Sequence, residues 1–347
     1  MRVALVAMET AQQVDSAGAR RFERIGRLLA DRGHEVTVFC GQWWDSYTDE
    51  WTVGGLRYRG VTLGSALASF CVRLPALLGA YDPDIVHVRP VPGEQVLAAA
   101  AGSRLARAPL FAEWFGDEQL SERRRTWAAT APTRAVTPSQ LVRTRIREYG
   151  ATEEQTMVIP ESIDTERIEA VDPAEGIDIV YAHRLDESAN IEDFLLGMAE
   201  LRERDWTATI IGDGPKRSDY EQEAADLRID DRVTFVGACD RQRRLELYRG
   251  AHAFVQTAYR EEFATELLWA LACGCIGIVE YQAESSAHEL IENYERSYRV
   301  TDPQELADAI VDAGGFEHRT RDDHWDSHDH GVVIERYLDA YRDLRGQ

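Results

Sequence analysis

Short apolar runs alternate with amphipathic stretches along this chain, and the alternation begins afresh near its middle. Val3 to Ala7 is an apolar run of the kind buried parallel strands show, and a loop containing Gly18 leads to a helical stripe at Phe22, Ile25, Leu28 and Leu29. Gly33 ends that helix and Glu35 to Cys40 is the next strand, completing a right-handed strand, helix, strand unit. Further strands are expected at Asp84 to Val88, Leu110 to Ala112 and Ala135 to Thr137, the last followed by a helix that opens at Pro138 and Ser139 and runs to Tyr149. Val61 to Ala80 approaches membrane length, but Arg73 and Pro75 interrupt it, which predicts a loop and an amphipathic helix. Val158 and Ile159 lead to Pro160 and a polar stretch ending near Pro173, the expected linker.

Beyond that linker the pattern repeats, with strands at Ile177 to Tyr181, Thr207 to Ile211, Val233 to Val236 and Ala253 to Gln256. Helices are expected at Ile191 to Arg202, Tyr220 to Leu227 and Arg241 to Arg249, and Gly212-Asp213-Gly214-Pro215 reads as a tight turn. The last strand feeds the stretch from Arg260 to Gly277, in which Thr265 is the expected N-cap, Leu267, Leu268, Ala270, Leu271 and Ala272 form an apolar run, and Gly274 is the stop. Ala264 and Thr265 are small, so a phosphate can approach the first turn and gain from its free N–H groups and the helix dipole. Two doubly wound units in succession predict an α/β fold of two facing sheets with a cleft between them. Ligands then lie beyond the strands' carboxyl ends, at the turns 183–190, 212–217 and 257–266. The tail carries a helical stripe at Val333, Ile334, Tyr337, Leu338, Tyr341 and Leu344, which needs a surface to cover.

At 347 residues the chain is long enough for about two domains. Its formal charge of −22 argues against nucleic acid as a partner, and Lys216 is the single lysine among 39 basic residues. Dense Asp and Glu with lysine almost eliminated is the composition expected of a cytoplasmic protein adapted to multimolar salt. The five cysteines, at 40, 71, 239, 273 and 275, contain no Cys-x-x-Cys pair, which fits a reducing compartment. The chain goes straight into a strand at Arg2 to Ala7, so no signal peptide is expected. Without Gly-x-Gly-x-x-Gly after the first strand, a nicotinamide enzyme is disfavoured.

The order of short motifs resembles the retaining glycosyltransferases of GT-B fold, specifically the large family 4 (glycosyl transferases group 1), over nearly the whole chain. The motifs are Arg32-Gly33-His34-Glu35-Val36-Thr37-Val38, Asp82-Pro83-Asp84-Ile85-Val86-His87-Val88, Ile159-Pro160 with Ile163-Asp164, and Arg184-Leu185-Asp186-Glu187. They continue with Gly212-Asp213-Gly214-Pro215, Val233 to Gly237, Glu261 to Gly274, Asp302-Pro303 and Trp325-Asp326. The resemblance implies an acceptor-binding Rossmann-like domain over 1–165, a nucleotide-sugar-binding one over 172–320, and a helix at 325–347 that crosses back to the first. It implies transfer of a hexose-like group with retention, without metal or other cofactor, to a saccharide, glycolipid or lipid-linked acceptor. Arg184 would pair with the donor diphosphate, Gly18, Gly212 and Gly214 would border the donor, and the backbone of Val236, Gly237 and Ala238 would meet its base. Glu261 would bind the sugar hydroxyls, and Phe263, Ala264 and Thr265 would carry the helix start that faces the diphosphate. Glu261 and Arg184 are the expected catalytic residues.

Several positions depart from the family. Trp269 stands where a second glutamate is usual, eight residues after Glu261, and Ala189 or Asn190 replaces a lysine. His183 replaces the glycine before Arg184, Glu161-Ser162 the usual Asn-Gly, Trp114 or Phe115 a histidine, and the paired glycines of the first loop are reduced to Gly18. Lys216 is a replacement cation or a solvated lysine, and Glu266, one turn before Trp269, is a stand-in for the ribose contact. His324, His328 and His330 among Asp322, Asp323, Asp326 and Asp329 read as an exposed acidic loop before a metal site, and His87 as structural. Arg123, Arg124 and Arg125, with Trp43 and Trp44, offer peripheral contact with a membrane face or a lipid phosphate, or simply a solvated surface. Two rivals follow: a non-catalytic sugar-nucleotide or partner-binding protein of this fold, and a nucleotide-sugar epimerase or glycosyl hydrolase.

Overall fold

The computed structural model describes residues 1–346. Packing divides the chain into two units, Met1–Glu161 with the segment from His330 onward, and Ser162–Asp329. The boundary falls at Glu161/Ser162, and the polar stretch read as a linker contains a short helix, Thr165–Glu169, that buries Ile168.

The first unit is built on eight strands, β1 (Arg2–Val6), β2 (Glu35–Gln42), β3 (Glu50–Val53), β4 (Leu56–Leu63), β5 (Ile85–Val88), β6 (Leu110–Glu113), β7 (Arg134–Thr137) and β8 (Thr156–Val158), in the order β3-β4-β2-β1-β5-β6-β7-β8. All neighbours are parallel except the β3–β4 hairpin. That hairpin lies where the sequence suggested no strand, and Val61 to Leu63, expected in a loop, belongs to β4. The helices are α1 (Ala17–Asp31), α2 (Leu67–Tyr81), α3 (Gly93–Ala106), α4 (Glu122–Thr130) and α5 (Gln140–Glu148). Ser16 caps α1 by accepting from the Ala19 N–H, and Phe22, Ile25 and Leu29 form its buried face. Pro75 stands inside α2, whose buried side is Phe70, Leu74 and Leu78.

The C-terminal helix, His330–Arg345, buries the predicted stripe on this unit. An ionic knot fixes it: the Arg21 guanidinium, 2% exposed, donates to Glu113 Oε1 at 2.7 Å, to the Ile159 carbonyl at 2.6 Å and to the Tyr337 hydroxyl at 2.6 Å. Tyr337 donates on to Glu113 at 2.9 Å, and His87, fully buried, joins Glu113 at 3.1 Å to the Tyr341 hydroxyl at 2.7 Å. His87 is therefore a structural link. Removing one partner of such a buried set costs about 3–5 kcal/mol.

The second unit repeats the plan with a six-stranded, wholly parallel sheet: β9 (Ile179–Ala182), β10 (Ala208–Ile211), β11 (Val233–Gly237), β12 (Ala253–Gln256), β14 (Ile276–Glu280) and β16 (Ser297–Val300), ordered β11-β10-β9-β12-β14-β16. A separate two-strand pair joins β13 (Arg260–Glu261) to β15 (Glu284–Ser285). After the 165–169 helix, α6, come α7 (Ile191–Glu200), α8 (Arg217–Asp226), α9 (Arg241–Gly250), α10 (Thr265–Ala272), α11 (Ala287–Ile291) and α12 (Pro303–Ala313). Asp302 caps α12 by accepting from Gln304 and Glu305, and Pro303 sits in the first turn. Among the described residues no helix is long and apolar enough to cross a membrane. Arg124 pairs with Glu94, while Arg123 and Arg125 lie over the rings of Trp127 and Tyr149.

Candidate functional site

The loops after β9, β10, β11 and β12 all leave the carboxyl edge of the second sheet, and their backbones are stitched together. Leu185 N–H donates to the Asp213 carbonyl at 3.1 Å, Gly212 N–H to the Gly237 carbonyl at 3.0 Å, and Tyr259 N–H to the Ser188 carbonyl at 2.9 Å. This closeness explains the glycines. A Cβ on Gly212 would stand 1.8 Å from the His183 carbonyl oxygen, and one on Gly214 2.2 Å from that of Leu185. Gly212 has φ +139° and Gly237 φ +75°, backbone that L side chains rarely adopt. Both turn glycines thus serve the close approach of two protein loops.

Glu261 sits in the middle of this edge. The β13–β15 pair and a 2.8 Å hydrogen bond from Ser286 N–H to the Glu261 carbonyl fix its backbone. Glu261 Oε1 receives His183 Nε2 at 3.2 Å and Gln256 Nε2 at 3.3 Å. The other ring nitrogen of His183, Nδ1, lies 2.8 Å from the Arg184 carbonyl. Both partners are acceptors, so only the imidazolium satisfies both. Burial alone would lower the His183 pKa, but the hydrogen bond and charge of Glu261 outweigh it and raise the pKa above the usual 6.5. Gln256, 3% exposed, keeps its Oε1 without a partner. Neither His183 nor Gln256 was expected as a site residue; His183 was visible only as a departure from the family, and Gln256 gave no signal.

The α10 start differs from the expectation at its cap. Ala264 is the N-cap, with no side-chain bond, and Thr265 is the first helical residue. Thr265 N–H turns back onto the Phe263 carbonyl at 2.8 Å, so the amides left without a protein acceptor are those of Glu266 and Leu267. Phe263 and Ala264 are buried beneath this turn.

Glu266 is not offered to a ligand. Its carboxylate takes two hydrogen bonds from Arg241, at 2.9 and 3.0 Å, one from Arg244 at 2.8 Å and one from the Tyr248 hydroxyl at 2.6 Å, which fills its acceptor positions. Burial opposes its ionisation, yet the arginines and Tyr248 hold its pKa below the usual carboxylate range. The Arg241 guanidinium in turn lies 4.9 Å from the ring centroid of Trp269, which is buried. Glu266 and Trp269 together clamp α9 to α10. Lys216 pairs with Asp219 in the first turn of α8, at 3.1 Å. Arg184 extends into solvent, 72% exposed, with Nε 3.2 Å from Asp186.

Val236 and Ala238 are exposed beside Gly237, whose missing Cβ would stand 2.9 Å from Arg217. In place of the expected lysine, Ala189 is fully buried and Asn190 takes φ +49° at the N-cap of α7. Asn190 Nδ2 donates to Asp193 at 3.0 Å and to Glu280 at 3.2 Å. Burial, then the Asp193 carboxylate, push the Glu280 pKa up to about 8.

In the first unit, Gly18 N–H is committed to the Asp117 carboxylate at 3.1 Å, and a Cβ there would meet that side chain at 2.8 Å. Its amide is therefore not free for a donor. No group of three His, Cys, Asp or Glu side chains suited to a metal exists among the described residues; Asp322 instead caps the turn Asp323–His328 that buries Trp325.

Comparison with known proteins agrees with this architecture. Residues 162–313 match the family described as Glycosyl transferases group 1, and residues 18–167 match Glycosyltransferase Family 4. A glycosyltransferase from Rickettsia africae superposes with TM-score 0.79 at 14% identity, covering 99% of this chain and 98% of that one. HepE of Anabaena, solved with UDP, gives TM-score 0.76 at 16% identity over 99% and 100%. In sequence, a 2-deoxystreptamine glucosyltransferase of Streptomyces kanamyceticus is 30% identical over 105 residues, 26% of this chain and 27% of that protein's length. The chain has the GT-B fold of the glycosyltransferases, with a glycosyltransferase family match on each of its two units.

Proposed function

We propose that the chain is a retaining glycosyltransferase that moves a sugar from a nucleotide-sugar donor, held by the second unit, to a saccharide or lipid-linked acceptor held by the first. The observation that carries the reading is the carboxyl edge of the second sheet: Glu261, oriented by His183 and Gln256, and the unfilled amides of the α10 start both belong to the segment that follows β12. HepE of Anabaena has been solved with UDP and with UDP-glucose, so a uridine diphosphate sugar is the first donor to try. In the reaction, the bond from the anomeric carbon to the diphosphate breaks and its electron pair leaves with the phosphate oxygen. The acceptor oxygen attacks the same face and its proton passes to that departing oxygen. The α10 amides and the exposed Arg184 stabilise the developing charge, so no metal is required.

A thermal-shift series in molar salt with UDP, UDP-glucose and other nucleotide sugars tests the donor site. Stabilisation by a donor, followed by transfer that persists in EDTA and leaves the anomeric configuration unchanged by NMR, is expected; no stabilisation by any nucleotide would sink the reading. One observation favours a second reading, a sugar-nucleotide-binding protein without transfer: Ala189 is buried where a cation is expected, and Lys216 and Glu266 are engaged within the protein. Donor binding with neither transfer nor donor hydrolysis selects it, and conversion of donor without acceptor selects an epimerase.

A further inference from the structure

Arg89 follows β5 at the carboxyl edge of the first sheet, 7% exposed. Its backbone is pinned: Arg89 N–H donates to the Val6 carbonyl at 2.9 Å, and the buried Gln95 amide donates to the Arg89 carbonyl at 2.8 Å. The guanidinium, by contrast, makes a single hydrogen bond, Nη1 to the Glu9 carbonyl at 3.0 Å, and no carboxylate lies within ion-pair distance. An arginine carries five N–H donors, and a buried cation with one of them met is a costly arrangement unless something else completes it.

The nearby acids do not complete it. Asp117 accepts from Gly18 N–H at 3.1 Å, Glu118 accepts from Phe115 N–H at 2.6 Å and Gly116 N–H at 2.8 Å, and the Glu9 carboxylate takes the Ser65 hydroxyl at 3.1 Å. Burial lowers the Arg89 pKa more than these three acids raise it. Arg89 also lines a narrow slot with Thr10, Phe22, Glu23 and Tyr58. Glu23 is engaged by Arg27 and by Gln12 at 3.1 Å. The Tyr58 hydroxyl, 1% exposed, has no hydrogen-bond partner; Glu23 is near enough to raise its pKa after burial has done so, without meeting hydrogen-bond geometry. A buried cation and a hydroxyl donor without a partner thus line one slot, whose free space of about 10 Å³ admits a single water-sized oxygen and no sugar ring.

We infer that Arg89 and Tyr58 form an oxyanion-binding subsite of the first unit, and that the acceptor carries an anionic group, a uronate carboxylate or a phosphate, which presents one oxygen to them. The inference rests on the proposed transfer function for the word acceptor, but the subsite is argued from the first unit alone. Calorimetric titration of the full chain, with UDP present to occupy the second unit, compares methyl glucuronide, glucose 6-phosphate and the neutral methyl glucoside. At least one anionic probe is expected to bind about tenfold or more tightly than the glucoside, the better of the two telling carboxylate from phosphate. Arg89→Gln should abolish that preference and leave glucoside binding unchanged. Tyr58→Phe, which keeps the ring packing, should weaken the anionic probe about threefold or more at an unchanged melting temperature, so a poorly folding Arg89 variant does not block the test. Equal binding of charged and neutral probes, or a preference that survives both substitutions, overturns the subsite and points to a water filling the slot. UDP binding read in the same cell keeps the two ideas apart: loss of UDP binding with anion binding intact removes the donor reading only, and the reverse removes only this inference.

Discussion

His183→Gln tests the arrangement around Glu261 most directly. The imidazolium makes a charge-assisted bond to Glu261 at 3.2 Å and a second bond to the Arg184 carbonyl at 2.8 Å, and both side chains of the pair are mostly buried, 14% and 21% exposed. A charged hydrogen bond of this kind is worth about 1.5–3 kcal/mol, and a neutral amide recovers about 1 kcal/mol of it, so the substitution removes about 0.5–2 kcal/mol of Glu261 orientation. If Glu261 holds the donor sugar, that is about a 2- to 30-fold loss of donor affinity at low pH. The sign with pH follows from the raised His183 pKa: the pair is complete below the unfolded value of 6.5 and is lost as pH rises through the higher folded value. Calorimetry with the stabilising donor at pH 6 and pH 9 should therefore show the wild type weakening with pH and His183→Gln already weak at pH 6, the two converging at pH 9. NMR of the ring should show it titrating above 6.5. The same pH dependence in both proteins, or a ring that titrates at or below 6.5, refutes the reasoning.

Glu266→Gln should lower stability by about 2–3 kcal/mol in urea, because two arginines and Tyr248 lose their shared acceptor, while donor affinity of the folded fraction stays put; loss of donor affinity at unchanged stability would mean the clamp is not its role. Glu280→Gln should act the other way. With its folded pKa raised to about 8, the carboxyl contributes stability below its usual pKa that is lost as pH rises toward 8, so the neutral variant is expected to be more stable at pH 9 by on the order of a few kcal/mol and to flatten the pH dependence; parallel curves would refute this. Gly214→Ala forces a Cβ to within 2.2 Å of the Leu185 carbonyl, and the two loops must part, at more than about 2 kcal/mol by denaturant titration; an effect under about 0.5 kcal/mol would show that the loops are not in contact.

The parallel core strands were legible because they are buried on both faces and read as apolar runs, as in Val3 to Val6 and Ala253 to Val255. The elements that escaped lack that contrast. Glu50, Trp51 and Thr52 of β3 are all exposed at a sheet edge, so no apolar run marks the strand, and its signal lies instead in the Gly54-Gly55 turn between Trp51-Thr52-Val53 and the alternating Leu56 to Arg59. In α4 the buried positions are Ala128 and Ala129 alone, and α3 is so rich in alanine that no face stands out. Thr265 looked like the cap because of its hydroxyl, but the tight turn from Phe263 starts the helix one residue earlier than a side-chain cap would.

In the candidate site, sequence comparison registers each departure as a loss, whereas in space the departures are partnered. The family glutamate missing at Trp269 leaves a ring that carries Arg241, and Arg241 then grips Glu266. The glycine missing at His183 supplies the cation that orients Glu261, and Gln256, a lone polar residue at a strand end, matters only because the chain folds it against the same carboxylate. None of these pairings has a sequence spacing that announces it, since the partners come from different loops of the sheet edge. The consequence is chemical. A lysine at 189 would hold its charge across the ordinary pH range, but the cation paired with Glu261 is a histidine, so that charge titrates. A site of this composition is expected to bind its donor in a pH-dependent way that a lysine-bearing relative does not share, and installing Ala189→Lys should not restore the missing cation, because Ala189 is fully buried and its neighbour Asn190 is tied to Asp193 and Glu280.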